Sequence, residues 1–362
     1  MDNEVRKVLE LLEAGKITTD EAVQLMNAIK DTKATNTASD TFFRNEVDSF
    51  LNATSKVVES IKDVVTDAFY FNETGSLKKE FTKEIQGNIN TLNLKGKNSS
   101  VAVEVYDGET IIVSTEYIPK YDFQGVEFES ENGVYNLVYD NEKVKYMKIK
   151  AKIPNNIVIE NIDFATKNAS ITCYGLHFKN ATLTTKNSKI DLRTLNGDNL
   201  IAETKNSKIE ISNSTIKTIT GNSGNAKIEL DAVTSKEVYL TTSNGKIAIM
   251  DCSINKIDCQ TSNGEIKIDD LTQVGGEGTE NTIKAVTYNH SIKIGFKNLS
   301  QGINLKAKTS LGDIKVKNQN FKTTKEVSHL ESVVEGQTYN YESANSKTDI
   351  VAETSKGNIY IV

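Results

Sequence analysis

Apolar residues recur along this chain with two different periods. Up to about residue 70 the spacing is helical. Val5, Val8, Leu9 and Leu12 form one stripe, and Ala14-Gly15 supplies a stop. Thr18-Thr19-Asp20-Glu21 reads as a capping box, and Ala22, Leu25, Met26 and Ile29 form a second stripe. Residues 1–30 are therefore predicted to be a small helical hairpin. So short a segment cannot bury a core alone, so it needs a partner surface, in its own copy or in another protein. Residues 31–40, DTKATNTASD, read as a polar linker. Residues 41–75 follow as a long amphipathic helix with Phe43, Val47, Phe50, Leu51, Val57, Val58, Ile61, Val64, Val65 and Phe69 on one stripe. It caps the following body, pairs with another helix, or lies on a membrane surface. Its polar face is not rich in Lys and Arg, which weighs against the last.

From residue 80 the period falls to two. Val101–Tyr106, Thr110–Thr115, Gly133–Tyr139 and Val144–Ile153 are strand candidates. Asp107-Gly108, Glu131-Asn132-Gly133 and Asp140-Asn141 lie between them and predict hairpin turns. Residues 80–155 thus read as an N-terminal β region with hairpins, closed by Pro154.

Residues 156–362 are dominated by a 19-residue repeat. Stepping by 19 from Ile171 gives Ile190, Ile209, Ile228, Ile247 and Ile266. Two residues after each Ile stand Cys173, Leu192, Ile211, Leu230, Ile249 and Ile268. Further apolar columns lie five, ten and twelve residues after the Ile. Two short alternating strands per unit, with no helix between them, cannot close a compact core singly. Stacked at about 4.8 Å they turn each column into an inward ladder. The expected fold is mainly β: a β-solenoid-like stack of short strands, preceded by the helical hairpin and the long helix.

The polar columns are equally regular. Asn168, Asn187, Asn206, Asn225, Asn244 and Asn263 stand three residues before the Ile; Thr166, Thr185, Thr204, Ser223, Thr242 and Thr261 stand five before. Such residues suit a tight corner, where Asn takes a left-handed backbone and its amide bonds the next Asn in the stack. Gly245 and Gly264 follow as turn residues. Lys189, Lys208, Lys227 and Lys246 precede the Ile, while Asp191, Glu210 and Glu229 follow it, which predicts a neutralised, solvated face. After Ile266 the run GGEGTE inserts a loop, and the phrase returns irregularly as TYNHSIKI, TSLGDIKV and TSKGNIYI. The stack is expected to continue to the C-terminus with looped-out coils, the longest interruption being residues 317–349.

Composition narrows the function. The 362 residues carry a formal net charge of −6, which argues against a nucleic-acid partner. Only Arg6, Arg44 and Arg193 are arginines, so an Arg clamp for phosphate or acidic sugar is not expected. Cys173, Cys252 and Cys259 all fall in apolar columns and behave as small hydrophobes. The first residues carry charge and no long apolar run, so a secretory signal is not expected. The expected location is cytoplasmic, with a peripheral place on the inner face of the cell membrane as the variant.

The sequence carries no recognisable catalytic pattern. Asp251 and the pair Asp269-Asp270 stand isolated; His177, His290 and His329 are scattered; Tyr174, Phe178 and Tyr239 form no sugar platform. No catalytic, cofactor-binding or metal-ligating residue is assigned, no cofactor is expected, and no small-molecule substrate is evident.

The phrase T-x-N-G-x-I-x-I, repeated after a segment ending Lys152-Ile153-Pro154, resembles the bacterial β-strand-repeat family labelled "putative adhesin", which includes LiaG-like proteins. The likeness covers roughly residues 80–362. LEAGKITTDEAVQLM resembles the SHOCT-like helical hairpin that precedes such repeats in YvlB-like proteins. The resemblance implies a link to cell-envelope stress and carries no catalytic residues. The expectation is a non-catalytic interaction protein, with the solenoid as platform and the N-terminal helices docking a protein partner or self-associating. The alternative is a surface or secreted adhesin or carbohydrate-active solenoid. Functional residues are expected where the phrase fails: residues 1–80, the GGEGTE loop and residues 317–349.

Overall fold

The computed structural model describes residues 78–362, apart from 87–88, 121–122, 124, 273–279, 298–300, 318–319 and 328–330. The predicted hairpin, linker and long helix of residues 1–75 lie outside the described residues, as do most of the GGEGTE run and His329.

Residues 78–362 form one compact unit built of two sheets, of 13 and 14 strands. Through the repeat the chain alternates between them. Ile171–Tyr174 lies in the first sheet and His177–Thr184 in the second; Ile190–Arg193 returns to the first and Asn196–Thr204 to the second. Each strand pairs in parallel with its counterpart 19 residues on, so Ile171, Ile190 and Ile209 stand opposite one another. So do Ala181, Leu200, Ile219, Val238 and Ile257 in the other sheet. The stack is solenoid-like, as the 19-residue period predicts.

The interior is the set of apolar columns. Ile171, Ile190, Ile209, Ile228, Ile247 and Ile266 are all fully buried. One inward column escaped the sequence reading: Phe178, Gly197, Ile216, Ser235 and Ile254, seven residues after the Ile, which all lie on the second sheet's long strands. Its residue types vary too much to show as a pattern. The variation is complementary, because a Cβ on Gly197 would fall 2.3 Å from the Phe178 ring. The ring takes the volume that the glycine leaves empty.

The left-handed corner is not where the sequence suggests. None of the repeat's Asn column has positive φ. The column four residues after the Ile does: Gly175, Thr194, Asn213, Ala232, Asp251 and Asp270, with φ between 49° and 76°. Here the chain leaves a four-residue strand and must cross to the other sheet. The left-handed residue turns it while keeping the amide aimed along the stack, as in Thr194 N–H to Ser212 O at 3.0 Å. A threonine or alanine there is strained, and the coil-to-coil bonds on both sides hold it.

Residues 80–155 extend the same two sheets. The expected hairpin at Glu131-Asn132-Gly133 is present: Glu127–Glu131 and Val134–Val138 pair antiparallel, and Asn132 and Gly133 have φ of 51° and 78°. The other two turns are not hairpins. Ser99–Tyr106 and Ile111–Pro119, either side of Asp107-Gly108, do not pair with each other; both pair with Val144–Pro154, one parallel and one antiparallel. Asp140 caps a 3-10 turn that carries the chain from one sheet to the other.

Both ends of the array are out of chain order. The last coil, Lys347–Thr354 and Ile359–Ile361, is inserted between the coil of Glu280–Thr287 and Ile292–Phe296 and the coil of Gly302–Thr309 and Ile314–Val316. Residues 317–349 are more than an interruption, because Phe321–Val327 and Ser332–Thr338 pair antiparallel and cover the edge of Gly302–Thr309. At the other end Thr91–Lys95 lies between Val134–Val138 and Val158–Ala165, and antiparallel strands again lie outermost. An exposed parallel edge invites further strands. Among the described residues antiparallel strands close both edges of the 14-stranded sheet and one edge of the other, whose remaining edge is the short parallel strand Ile314–Val316. Among the described residues no helix is long and apolar enough to cross a membrane.

Candidate functional site

The repeat has three polar rows, and each has its own surroundings. The first is the asparagine row. Asn187 donates its amide to the Oδ1 of Asn168 at 2.8 Å, Asn206 to Asn187 at 2.8 Å, Asn225 to Asn206 at 2.8 Å and Asn244 to Asn225 at 2.7 Å. The expected amide ladder is thus present. The threonine row sits just inside it and is buried. Thr185, Thr204, Thr242 and Thr261 each donate to a backbone carbonyl of the preceding coil at 3.1–3.3 Å.

The second row is the charged face of the first sheet. Lys208 pairs with Glu210 and, at 3.0 Å, with Glu229; Lys227 pairs with Glu229 at 2.6 Å. Lys189 pairs with Asp191 at 2.9 Å and with Glu210. Burial alone would raise the carboxyls of Asp191, Glu210 and Glu229. The hydrogen bonds and charges of Arg193 and Lys189 at Asp191, and of the lysines at Glu210 and Glu229, outweigh it and hold all three below the ordinary carboxylate range. Lys208 is shifted up, chiefly by its hydrogen bond to Glu210. The face is neutralised, as its alternating charges predict.

The third row is again lysine, four residues before the Ile, at the exposed corner: Lys167, Lys186 and Lys205, with Lys97 stacked before them. Their backbones are tied together. Lys167 N donates to Lys97 O at 3.0 Å, Lys186 N to Lys167 O at 3.2 Å and Lys205 N to Lys186 O at 3.2 Å. Lys97 meets Glu142 at 2.7 Å. Among the described residues no carboxylate lies within ion-pair distance of Lys167, Lys186 or Lys205. Glu203, on the strand leading to Lys205, instead accepts the Asn222 amide at 2.9 Å. The sequence reading passed over this row, although Lys186 stands three residues from the paired Lys189 in the same phrase.

The residues weighed for chemistry are dispersed. Cys173, Cys252 and Cys259 are buried and free. Burial pushes all three thiols up, that of Cys252 to about 11. Cys252 is more than a small hydrophobe: its Sγ accepts from Val233 N at 3.4 Å and donates to Met250 O at 3.1 Å. Ser214 fills the same place two repeats earlier. Asp269 is held by Lys267 at 2.6 Å and Lys293 at 3.0 Å. Asp251 faces Lys297 at 3.7 Å. His290 is an exposed corner residue whose carbonyl accepts from Thr354. Phe178 is in the core, Tyr174 is exposed, and Tyr239 donates to Glu237. Among the described residues no group of three or more His, Cys, Asp or Glu side chains is arranged to hold a metal ion. An open groove of about 450 Å³ runs across the later coils, lined by Thr241, Gln260, Tyr288, Ser310 and Glu353 among others.

Residues 193–361 match the model of the family described as Toastrack DUF4097, and residues 3–34 match a SHOCT-like domain. No curated protein matches the sequence. Similar crystal structures include a "putative adhesin" from Parabacteroides merdae, 11% identical, with a TM-score of 0.43 over 78% of this chain and 96% of that one. A "putative lipid binding protein" from Parabacteroides distasonis is 14% identical, with a TM-score of 0.41 over 78% and 97%. A "putative adhesin" from Bacteroides fragilis is 13% identical, with a TM-score of 0.37 over 78% and 97%. The two family matches bear out the resemblance to the β-strand-repeat family and to the SHOCT-like domain.

Proposed function

We propose that this chain, a toastrack-type repeat over residues 193–361 behind a SHOCT-like segment, is a non-catalytic interaction protein of the bacterial cell-envelope stress response. The repeat array is its platform, and residues 1–77 dock a protein partner or a second copy at the inner face of the membrane. One observation carries the reading. The repeated Asn, Thr and face-lysine rows are spent on coil-to-coil bonds, so the body is organised for rigidity. A rigid array of this kind presents surfaces and holds its ends apart.

The test compares the full chain with a variant lacking residues 1–77. The deletion is expected to change the oligomeric state in light scattering and to abolish co-purification with the envelope fraction. If both are unchanged, the docking role is wrong. The alternative, a carbohydrate-binding surface protein, is favoured by the open groove beside Tyr288, a residue that is 54% exposed. It requires export and neutral-glycan binding that Tyr288→Ala removes.

A further inference from the structure

The corner lysines invite a question that the fold does not answer. Lys167, Lys186 and Lys205 stand on consecutive coils, about 4.8 Å apart along the stack. Like charges directly opposite one another in a ladder oppose its formation. The corner does not need them. The same column continues as Gly224, Ser243 and Ser262; Gly224 N turns to Thr204 O at 3.2 Å, and the ladder resumes with Ser243 N to Gly224 O at 3.0 Å and Ser262 N to Ser243 O at 3.2 Å. Nor are they compensated. The lysines of the strand face share Asp191, Glu210 and Glu229, but the corner lysines have no such acids.

We propose that Lys97, Lys167, Lys186 and Lys205 form a docking row for a linear polyanion without bases, lying along the stack axis. The row spans about 14 Å, three intervals of the strand spacing. Its form argues for a linear occupant. Lys167, Lys186 and Lys205, which meet no acid among the described residues, make a single file that Lys97, paired with Glu142, extends by one coil; it is flanked on one side by Ala165, Thr184 and Glu203 and on the other by Asn168, Asn187 and Asn206. A flat anionic membrane is best met by a two-dimensional patch of Lys and Arg. The asparagine amides on the flank already bond to one another, so they guide the polymer and read nothing in it. Lysine ammoniums are point charges without the guanidinium fork, so they sense the spacing of anionic groups more than their geometry. Single-stranded nucleic acid is bound by basic grooves with aromatic side chains for base stacking. No aromatic residue stands in the corner columns of these coils. The occupant that fits is a chain of repeating carboxylates or phosphates. This inference does not depend on the docking role of residues 1–77.

The test titrates the full-length protein with polygalacturonate and with long-chain polyphosphate at low and physiological salt. The wild type is expected to bind at least one of them, with affinity falling steeply as salt rises. The variant Lys167→Ser/Lys186→Ser/Lys205→Ser places at these positions the residue that Ser243 and Ser262 already provide, so its melting temperature should hold or rise. It is expected to lose about tenfold or more in affinity and to show a shallower salt dependence. Lys217→Ser/Lys236→Ser removes exposed lysines elsewhere and should bind as the wild type does. The proposal is overturned if neither polymer binds, if the triple variant binds unchanged, or if the control variant loses as much. Tighter binding to single-stranded DNA, or to anionic vesicles alone, overturns it in favour of those partners. Which of the two polymers wins distinguishes carboxylate from phosphate.

Discussion

The phrase TKNSKIDL holds two lysines three residues apart, and the two lie in different surroundings. Lys189 belongs to a strand face where it and Lys208 each meet acids of their own and the next coil; Lys186 belongs to a corner where cations stack on cations. The face row is an internal adhesive of the stack. The corner row adds charge that the stack does not use. The difference shows that a regular repeat does not make every one of its letters structural. A column that changes from Lys to Gly to Ser, while its neighbours hold to Asn and Thr, is free of the fold and open to another purpose.

The comparison can be tested from the inside outward. Both rows hang on the isoleucine column, so Ile228→Ala should disturb them together. It is expected to cost about 3–4 kcal/mol in chemical denaturation, the usual range for such a buried truncation. A loss under 1 kcal/mol would show that the column is not the shared support. Next comes the asparagine row that separates the two. Asn206→Ala removes the amide that donates to Asn187 and the oxygen that accepts from Asn225. About 1 kcal/mol of stability should go, with faster amide exchange at that corner.

The smallest effect separates the two lysine rows themselves. Glu210→Gln strips the acid shared by Lys189 and Lys208 and should cost about 0.5 kcal/mol at neutral pH, because the pairs are partly solvated. The sign with pH follows from the lowered carboxyls. A carboxyl held below its unfolded value contributes fully above that value and loses its contribution as pH falls through the folded one. Stability should therefore decline as pH drops through and below the ordinary carboxylate range, and less so in Glu210→Gln. Lys186→Ser should leave both the stability and its acid slope as they are. An acid slope identical in wild type and Glu210→Gln would remove the distinction between face and corner.

Much of the body was legible beforehand because its information is local and periodic. The 19-residue spacing of Ile171 through Ile266 set the ladder, and the Asn and Thr columns announced the corner. The paired face followed from Lys and Glu alternating around the Ile. The candidate site was not legible, since Lys186 and Lys189 look alike until one knows which acids come near each. The corner lysines also lie inside the phrase, where function was least expected.

The sequence by itself determined the parallel stack, most of its interior and its amide ladder, because each depends on residues that repeat at one fixed distance. Only the tertiary structure decided which coils are neighbours at the two ends, since that pairing joins segments far apart in the chain. The last coil, Lys347–Thr354 and Ile359–Ile361, carries the same phrase whether it caps the stack or lies within it. The left-handed column of Thr194, Ala232 and Asp251 was hidden for a related reason. Its conformation is imposed by the crossing between sheets and held by bonds to the next coil, which the residue types themselves do not announce.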